Sequence, residues 1–284
     1  MRRVCVWNGK RGGFGALAPT MRAIQQSPEL SLQLVVTDQH LYDQFGKTLT
    51  EVEACFPVSA TIDMEQVGDS NLDRACAIGR CLTKAAQVLG DLQPDILLVI
   101  GDRGEVFAAC IAAHNMRVAI AHVQGGDVSG SLDEPVRHAI TKLAHLHFPS
   151  TQSSGARIIA MGEEPWRVHV VGDTHFDQVF LGHISSEDQL RTEYHLKRET
   201  PFILVLQHSD STIPHKAADQ MAETIAAVMN AGYRALLIYP CSDQGFEGII
   251  SEIERVAEAP NLSLIHISEP TRRTPISYAV FCLK

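Results

Sequence analysis

Four short polar runs hold the residue types that proton transfer and phosphate binding require. The run at 8–15, NGKRGGFG, sets glycines beside Lys10 and Arg11 just ahead of a helix. Such a run lets backbone approach an anion at a helix N-terminus, and it equally makes a plain tight turn. The run GDRGE at 101–105 follows an apolar stretch. Asp102 there reads either as a crevice carboxylate or as a helix cap with Glu105 as its capping-box partner. The third run, HVQGGDVSGSLD at 122–133, strings Gln124, Asp127, Ser129 and Asp133 among Gly125, Gly126 and Gly130. It ends with Asp133 at an apt N-cap and Pro135 in the first helical turn. The helix after it would carry Arg137, Thr141 and His145 on one stripe and His138 and Lys142 on another, with Val136, Ile140, Leu143 and His147 turned inward. These stripes suit either a solvated face or the wall of a site. The fourth run, LQHSD at 206–210, leaves His208 at a strand end, as a satisfied surface residue or as a group facing a cleft. HExxH and Cys/His ligand spacings are missing, so no metal is expected, and without GxSxG serine-hydrolase chemistry has no support.

Each run needs an element to hold it. β-branched stretches at 3–7, 32–37, 96–101, 118–123, 145–148 and 168–171 alternate with amphipathic stretches at 17–26, 72–92, 105–114, 134–144 and 153–161. This alternation predicts an α/β fold with a doubly wound, mostly parallel sheet. Ligands of such sheets sit beyond the carboxyl ends of the strands, where the polar runs fall. After about residue 172 the pattern restarts, with strands at 202–207 and 235–239 and helices at 216–229 and 246–257. Two strand–helix units fall short of the ~5–6 strands of an average sheet. The expected organisation is therefore a Rossmann-like domain over 1–171, a partial second one over 172–262, and a tail over 263–284. The tail, SLIHISEPTRRTPISYAVFCLK, has no helical period and resembles translated adapter read-through, so it is expected to be non-native.

Composition narrows the function classes. A net charge of −9 argues against a nucleic-acid binder, which needs a basic face. A nucleotide sugar needs only a few local donors and stays open. The seven cysteines form no CxxC pair and sit mostly in apolar runs, which suggests buried free thiols and a reducing cytoplasm. The N-terminus does not read as a signal peptide, and no apolar run nears the ~20 residues that cross a bilayer.

Taken together, GDRGEVFAACIAA, AHVQGGDVSGSLDEPVRHAITKLAHLHFPST and RIIAMGEEPWRVHVVGDTHFDQV resemble the hydrolysing UDP-N-acetylglucosamine 2-epimerases of sialic and related nonulosonic acid synthesis, over about residues 3–262. LVLQHSDST resembles the start of that family's second domain, while KRGGFGALAPTM matches its usual turn only at Arg11 and 17–19. The resemblance implies two Rossmann-like domains in the GT-B style, with a UDP-sugar in the cleft between them and no cofactor. It implies that a base takes the C2 proton as UDP leaves C1, and that water then adds to give the free 2-epimer. Asp102 and Asp133 would share the acid–base work, and His208 would assist departure of the diphosphate. Arg11, His40 and Arg137 match binding positions, and Gly125, Gly126 and Asp127 would line the substrate. Gln124 stands where sialic-acid-type members carry a functional Glu, and an amide cannot shuttle protons. Asp127 or Glu105 could take its place, the branch could use another substrate, or the chain could be inactive. Ile100 stands where some relatives have a histidine. The family's uridine- and diphosphate-holding segments lie beyond the matched part, so the 284 residues as written are expected to bind and turn over poorly. A homo-oligomer is implied for the full-length protein. The alternatives are a non-hydrolysing epimerase that keeps UDP on the sugar, or a nucleotide-sugar-binding protein without catalysis.

Overall fold

The computed structural model describes residues 1–68, 70–182, 185–197, 201–210, 212–256 and 262–265. The chain is an α/β protein built on two parallel sheets. The first has six strands: β1 (Arg2–Asn8), β2 (Leu30–Thr37), β3 (Ala60–Ile62), β4 (Ile96–Ile100), β5 (Ala119–Val123) and β6 (Leu146–Phe148). Their order is β3-β2-β1-β4-β5-β6, and every pairing is parallel. The chain winds outward from β1 to β3, then returns to β4 and winds the other way. The switch point therefore lies between β1 and β4, where two successive loops diverge and open a crevice.

Side-chain alternation explains why both faces are covered. In β1, Cys5 and Trp7 join one buried cluster and Val4 and Val6 the other. The Trp7 side is covered by α3 (Asn71–Leu92), α4 (Gly104–Asn115) and α5 (Asp133–Leu143). The Val6 side is covered by α1 (Arg11–Gln26) and α2 (Leu49–Cys55). A parallel sheet buried on both faces needs such continuous apolar strands. α6 (Gln152–Ala160) follows β6, and α7 (Phe176–Phe180) packs on α1, where Gln178 Nε2 donates to the Gly15 carbonyl at 3.1 Å. α8 (Glu187–Glu193) leads on to the second sheet, in the order β7 (Phe202–Leu206), β8 (Arg234–Ile238) and β9 (Leu262–Ile265). α9 (Ala217–Ala231) and α10 (Phe246–Arg255) pack against each other and on that sheet.

Several expected elements differ. Residues 168–171 form no strand: one bridge joins His147 to Val168, and Val171 N donates to the Pro149 carbonyl at 3.1 Å. The segment follows β6 without building a ladder. α1 begins at Arg11, six residues ahead of the expected start, so most of the glycine run is helix and Pro19 lies inside it. Periodicity missed this because Gly12, Gly13 and Gly15 contribute little apolar signal. β3 and α2 were not expected. Neither was β9, whose 263–265 are the first residues of the segment read as a tail; 266–284 lie outside the described residues. The cysteines are mixed: Cys5, Cys81 and Cys110 are buried, Cys55 and Cys76 exposed and Cys241 intermediate, all of them free thiols. Cys282 lies outside the described residues. Among the described residues no helix is long and apolar enough to cross a membrane.

Candidate active site

At the carboxyl end of β4 the chain turns through Gly101, at φ +76°, into Asp102. Asp102 is not a helix cap: Arg103 holds the N-cap position of α4 and makes no side-chain cap. Instead the Asp102 carboxylate accepts Arg137 Nε at 2.9 Å and Arg137 Nη2, a two-pronged ion pair that only a guanidinium can make. Arg137 Nη1 reaches on to the Asp127 carbonyl at 2.8 Å and to Ser129 Oγ at 3.3 Å. One buried arginine thus ties the loop after β4 to the loop after β5.

Asp133 opens α5 but does not cap it, because Leu132 occupies the N-cap position. Glu134, in the first turn, ties down the preceding loop instead, accepting from Ser129 N at 2.6 Å and Gly130 N at 2.7 Å. Asp133 is released from structural duty. Its pKa is pushed up by partial burial and by the nearby Asp102 charge, with Arg103 opposing. A carboxylate in that state takes a proton more readily than an ordinary one. The expected stripe of Arg137, Thr141 and His145 is broken, since α5 ends at Leu143 and leaves His145 exposed.

Beneath this loop, His122, one residue before the end of β5, is fully buried, with Nε2 2.7 Å from the Gly101 carbonyl and Nδ1 3.2 Å from Thr141 Oγ1. Burial pushes its pKa down to about 4, so it is a neutral strut. Gly125 and Gly126 pack on protein. A Cβ at Gly125 would lie 2.9 Å from both His122 Nδ1 and Thr141 Oγ1, and one at Gly126 2.5 Å from the Ser154 carbonyl. Asp127 accepts Ser154 Oγ. Gln124, at φ +60°, donates to Asp173 Oδ1 at 2.9 Å and lies 3.1 Å from His175 Nδ1.

The other wall carries positive charge. Lys10 and Arg11 open α1, and neither side chain has a hydrogen bond or ion pair among the described residues. Partial burial lowers the Arg11 pKa, against the pull of Cys241 and Glu51. His208, past the end of β7, accepts Cys241 N–H on Nδ1 at 3.3 Å, which leaves Nε2–H as the ring's donor. Desolvation lowers its pKa; Asp243 opposes, while Lys10, Arg103 and Arg11 add to the lowering. The second sheet thus faces the first across the α1 N-terminus. His40 lies deeper, buried edge-on to Phe14 with Nδ1 2.7 Å from Thr48 Oγ1, and burial pushes its pKa down to about 4.

The motif reading missed the residues that join the two sheets. Arg103 pairs with Asp243 and donates to Ser242 Oγ at 2.8 Å, and Gln39 Nε2 reaches the same hydroxyl at 2.9 Å. Glu105 is fully buried, 2.7 Å from Arg74 Nη2 and 3.7 Å from Arg103 Nε, so it belongs to this junction. The strand-end rule that singled out His208 would have found Ser242 and Asp243 after β8 as well.

The family model for UDP-N-acetylglucosamine 2-epimerase matches residues 22–280. The chain belongs to that family. It is 30% identical over 272 residues to a hydrolysing UDP-N,N'-diacetylbacillosamine 2-epimerase of Legionella pneumophila, covering 95% of this chain and 72% of that one. It is 29% identical to a UDP-N-acetylglucosamine 2-epimerase of Neisseria meningitidis serogroup B, covering 89% of this chain and 66% of the relative. The chain thus spans about two thirds of that relative's length. Among solved structures, the Neisseria meningitidis UDP-GlcNAc 2-epimerase bound to UDP-GlcNAc superposes with a TM-score of 0.75 at 19% identity, covering 98% of this chain and 74% of that one. The Methanocaldococcus jannaschii enzyme with UDP-GlcNAc and UDP gives 0.74 at 15% identity, covering 93% and 73%. The 2-epimerase family of this chain thus carries the GT-B-like fold of those structures.

Proposed function

We propose that the protein is a hydrolysing 2-epimerase of a UDP-2-acetamido sugar, UDP-GlcNAc or a diacetamido relative, working as a homo-oligomer. The observation that carries this reading is the pairing of Asp102 with Arg137 beside a half-buried Asp133 whose proton affinity is raised. The C2 proton of an acetamido sugar is weakly acidic, so its removal needs a positioned base and strong stabilisation of the leaving group. Asp133 takes that proton. Asp102, held by Arg137, fixes the sugar's orientation. The unpaired Lys10 and Arg11 and the Nε2–H of His208 supply positive charge to the departing diphosphate. Water then adds to the unsaturated sugar and gives the free 2-epimer. Family membership and a relative whose name includes the hydrolysing activity support the reading.

The test uses a polypeptide of the relatives' length that contains this chain, incubated with UDP-GlcNAc in heavy water and followed by NMR. Free 2-epimer deuterated at C2, together with UDP, is the expected result, and Asp133→Asn should lower its rate by about 10²–10⁴-fold. UDP-linked epimer as the product would assign the non-hydrolysing reaction instead. Binding of UDP-sugar without C2 exchange, for this substrate and the diacetamido one, would leave only a binding protein.

A further inference from the structure

Asp173 and His175 form a carboxylate–imidazole pair that the acid–base scheme above does not use. Asp173 Oδ1 accepts His175 Nδ1 at 2.7 Å, His175 N at 3.0 Å and Gln124 Nε2 at 2.9 Å. Three donors on one oxygen hold the ring with Nδ1 toward the carboxylate, the arrangement of a carboxylate-oriented imidazole, and Gln124 Nε2 lies 3.1 Å from the same Nδ1. The pair sits at the crevice. Gln124 joins it to the loop after β5, and Gln178, three residues on, joins it to Gly15 in α1. The His175 side chain is 24% exposed. Gln124 cannot titrate. It holds a left-handed backbone that aims its amide at Asp173 and His175.

We propose that His175, oriented by Asp173 and braced by Gln124, is the acid that gives C2 its new proton once UDP has left. This rests on the hydrolysing 2-epimerase reading. In the first half-reaction Asp133 takes the C2 proton and the C1–O bond to UDP breaks, leaving a C1–C2 double bond. In the second, the imidazolium Nε2–H passes to C2 on the opposite face and C1 becomes an oxocarbenium ion. Water bonds to C1 and gives its proton to the neutral Nε2. One water is consumed, the ring is again protonated, and C2 is inverted. Asp173 and Gln124 act as positioning residues through the ring.

The experiment compares the wild-type protein, extended to its relatives' length, with His175→Asn and Asp173→Asn in heavy water, reading UDP, the unsaturated sugar and the hydrated sugar by NMR. For His175→Asn, hydrated sugar should fall by about 10²-fold and UDP release by less, so that unsaturated sugar accumulates. Added imidazole should restore hydration in His175→Ala. The isosteric Asp173→Asn should shift the product ratio the same way by a smaller factor. Hydrated, C2-deuterated sugar formed by His175→Asn at the wild-type rate and product ratio overturns the proposal alone. Equal loss of UDP and hydrated sugar in His175→Asn, with circular dichroism unchanged, also overturns it, because His175 would then act before UDP leaves. A wild-type protein that releases no UDP overturns the hydrolysing reading and this inference together.

Discussion

His40 and His122 make the fold sensitive to acid. Burial lowers each from 6.5 to about 4. Between those values the unfolded chain binds two protons that the folded chain excludes, so stability must fall as pH drops through that window. Asp38 opposes this. Burial and the Glu105 charge push its pKa up to about 6, so between 3.8 and 6 the fold holds a proton that the unfolded chain has released. Two histidine shifts outweigh one carboxylate shift of similar size, so these three groups together destabilise the fold as pH falls from 7 to 4. Urea unfolding at several pH values measures it. His122→Asn should remove most of the slope these groups produce, because the one remaining histidine is then offset by Asp38, and a wild-type curve without slope across the window would refute the assignment. At the same scale, Asp102 shows how a residue's role follows from its partner. A capping aspartate needs backbone N–H groups two or three residues on, whereas Asp102 faces a guanidinium from a helix 35 residues away.

At the scale of elements, the loop between β5 and α5 depends on two glycines for different reasons. Gly126 sits at φ +83° with the Ser154 carbonyl where a Cβ would go, so Gly126→Ala meets both backbone strain and a backbone clash. Gly125 faces His122 and Thr141, the pair that sets the floor of the site. We expect Gly126→Ala to cost about 2–3 kcal/mol and Gly125→Ala about 1–2 kcal/mol in urea unfolding. Gly79→Ala, in the exposed middle of α3 with open space around it, should instead stabilise by about 0.5–1 kcal/mol. A Gly126→Ala variant as stable as wild type would show that the loop adapts. The sequence announced this loop through its glycines, but their density could not say which one meets backbone and which one meets side chains.

For the whole molecule, the junction of the two sheets is ionic as well as apolar. Phe45 packs at a tilt on Phe246, 5.1 Å between centroids. Beside them Arg103 and Arg74 are set among Asp38, Glu105 and Asp243. Three carboxylates around two guanidiniums leave an excess negative charge, which the raised pKa of Asp38 relieves. Removing a cation here is therefore worse than removing an anion. Arg103→Gln should cost about 3–5 kcal/mol, the penalty of stranding buried charge. Asp243→Asn should cost less, because Arg103 keeps Asp38 and Glu105 as partners. Thermal unfolding ranks the two, and equal losses would mean that the junction is held by shape alone.

Much of this protein was readable from its residues in order. Alternating apolar runs required a parallel sheet covered on both faces, because strands so apolar cannot border water. The rule that ligands gather at strand ends placed Asp102, the Gly125–Gly126 loop and His208 at the crevice in advance. Local signals are enough for this because each run is contiguous. Tertiary structure alone decided the partners. Arg137 could have been a solvated helix charge until α5 was laid across β4, and Glu105 a capping residue until Arg74 and Arg103 enclosed it. Gln124 had no visible partner until the fold brought Asp173 and His175 to it across about 50 residues. Pairings of that kind depend on which chain segments the sheet order makes neighbours, and no local pattern of residues encodes that order.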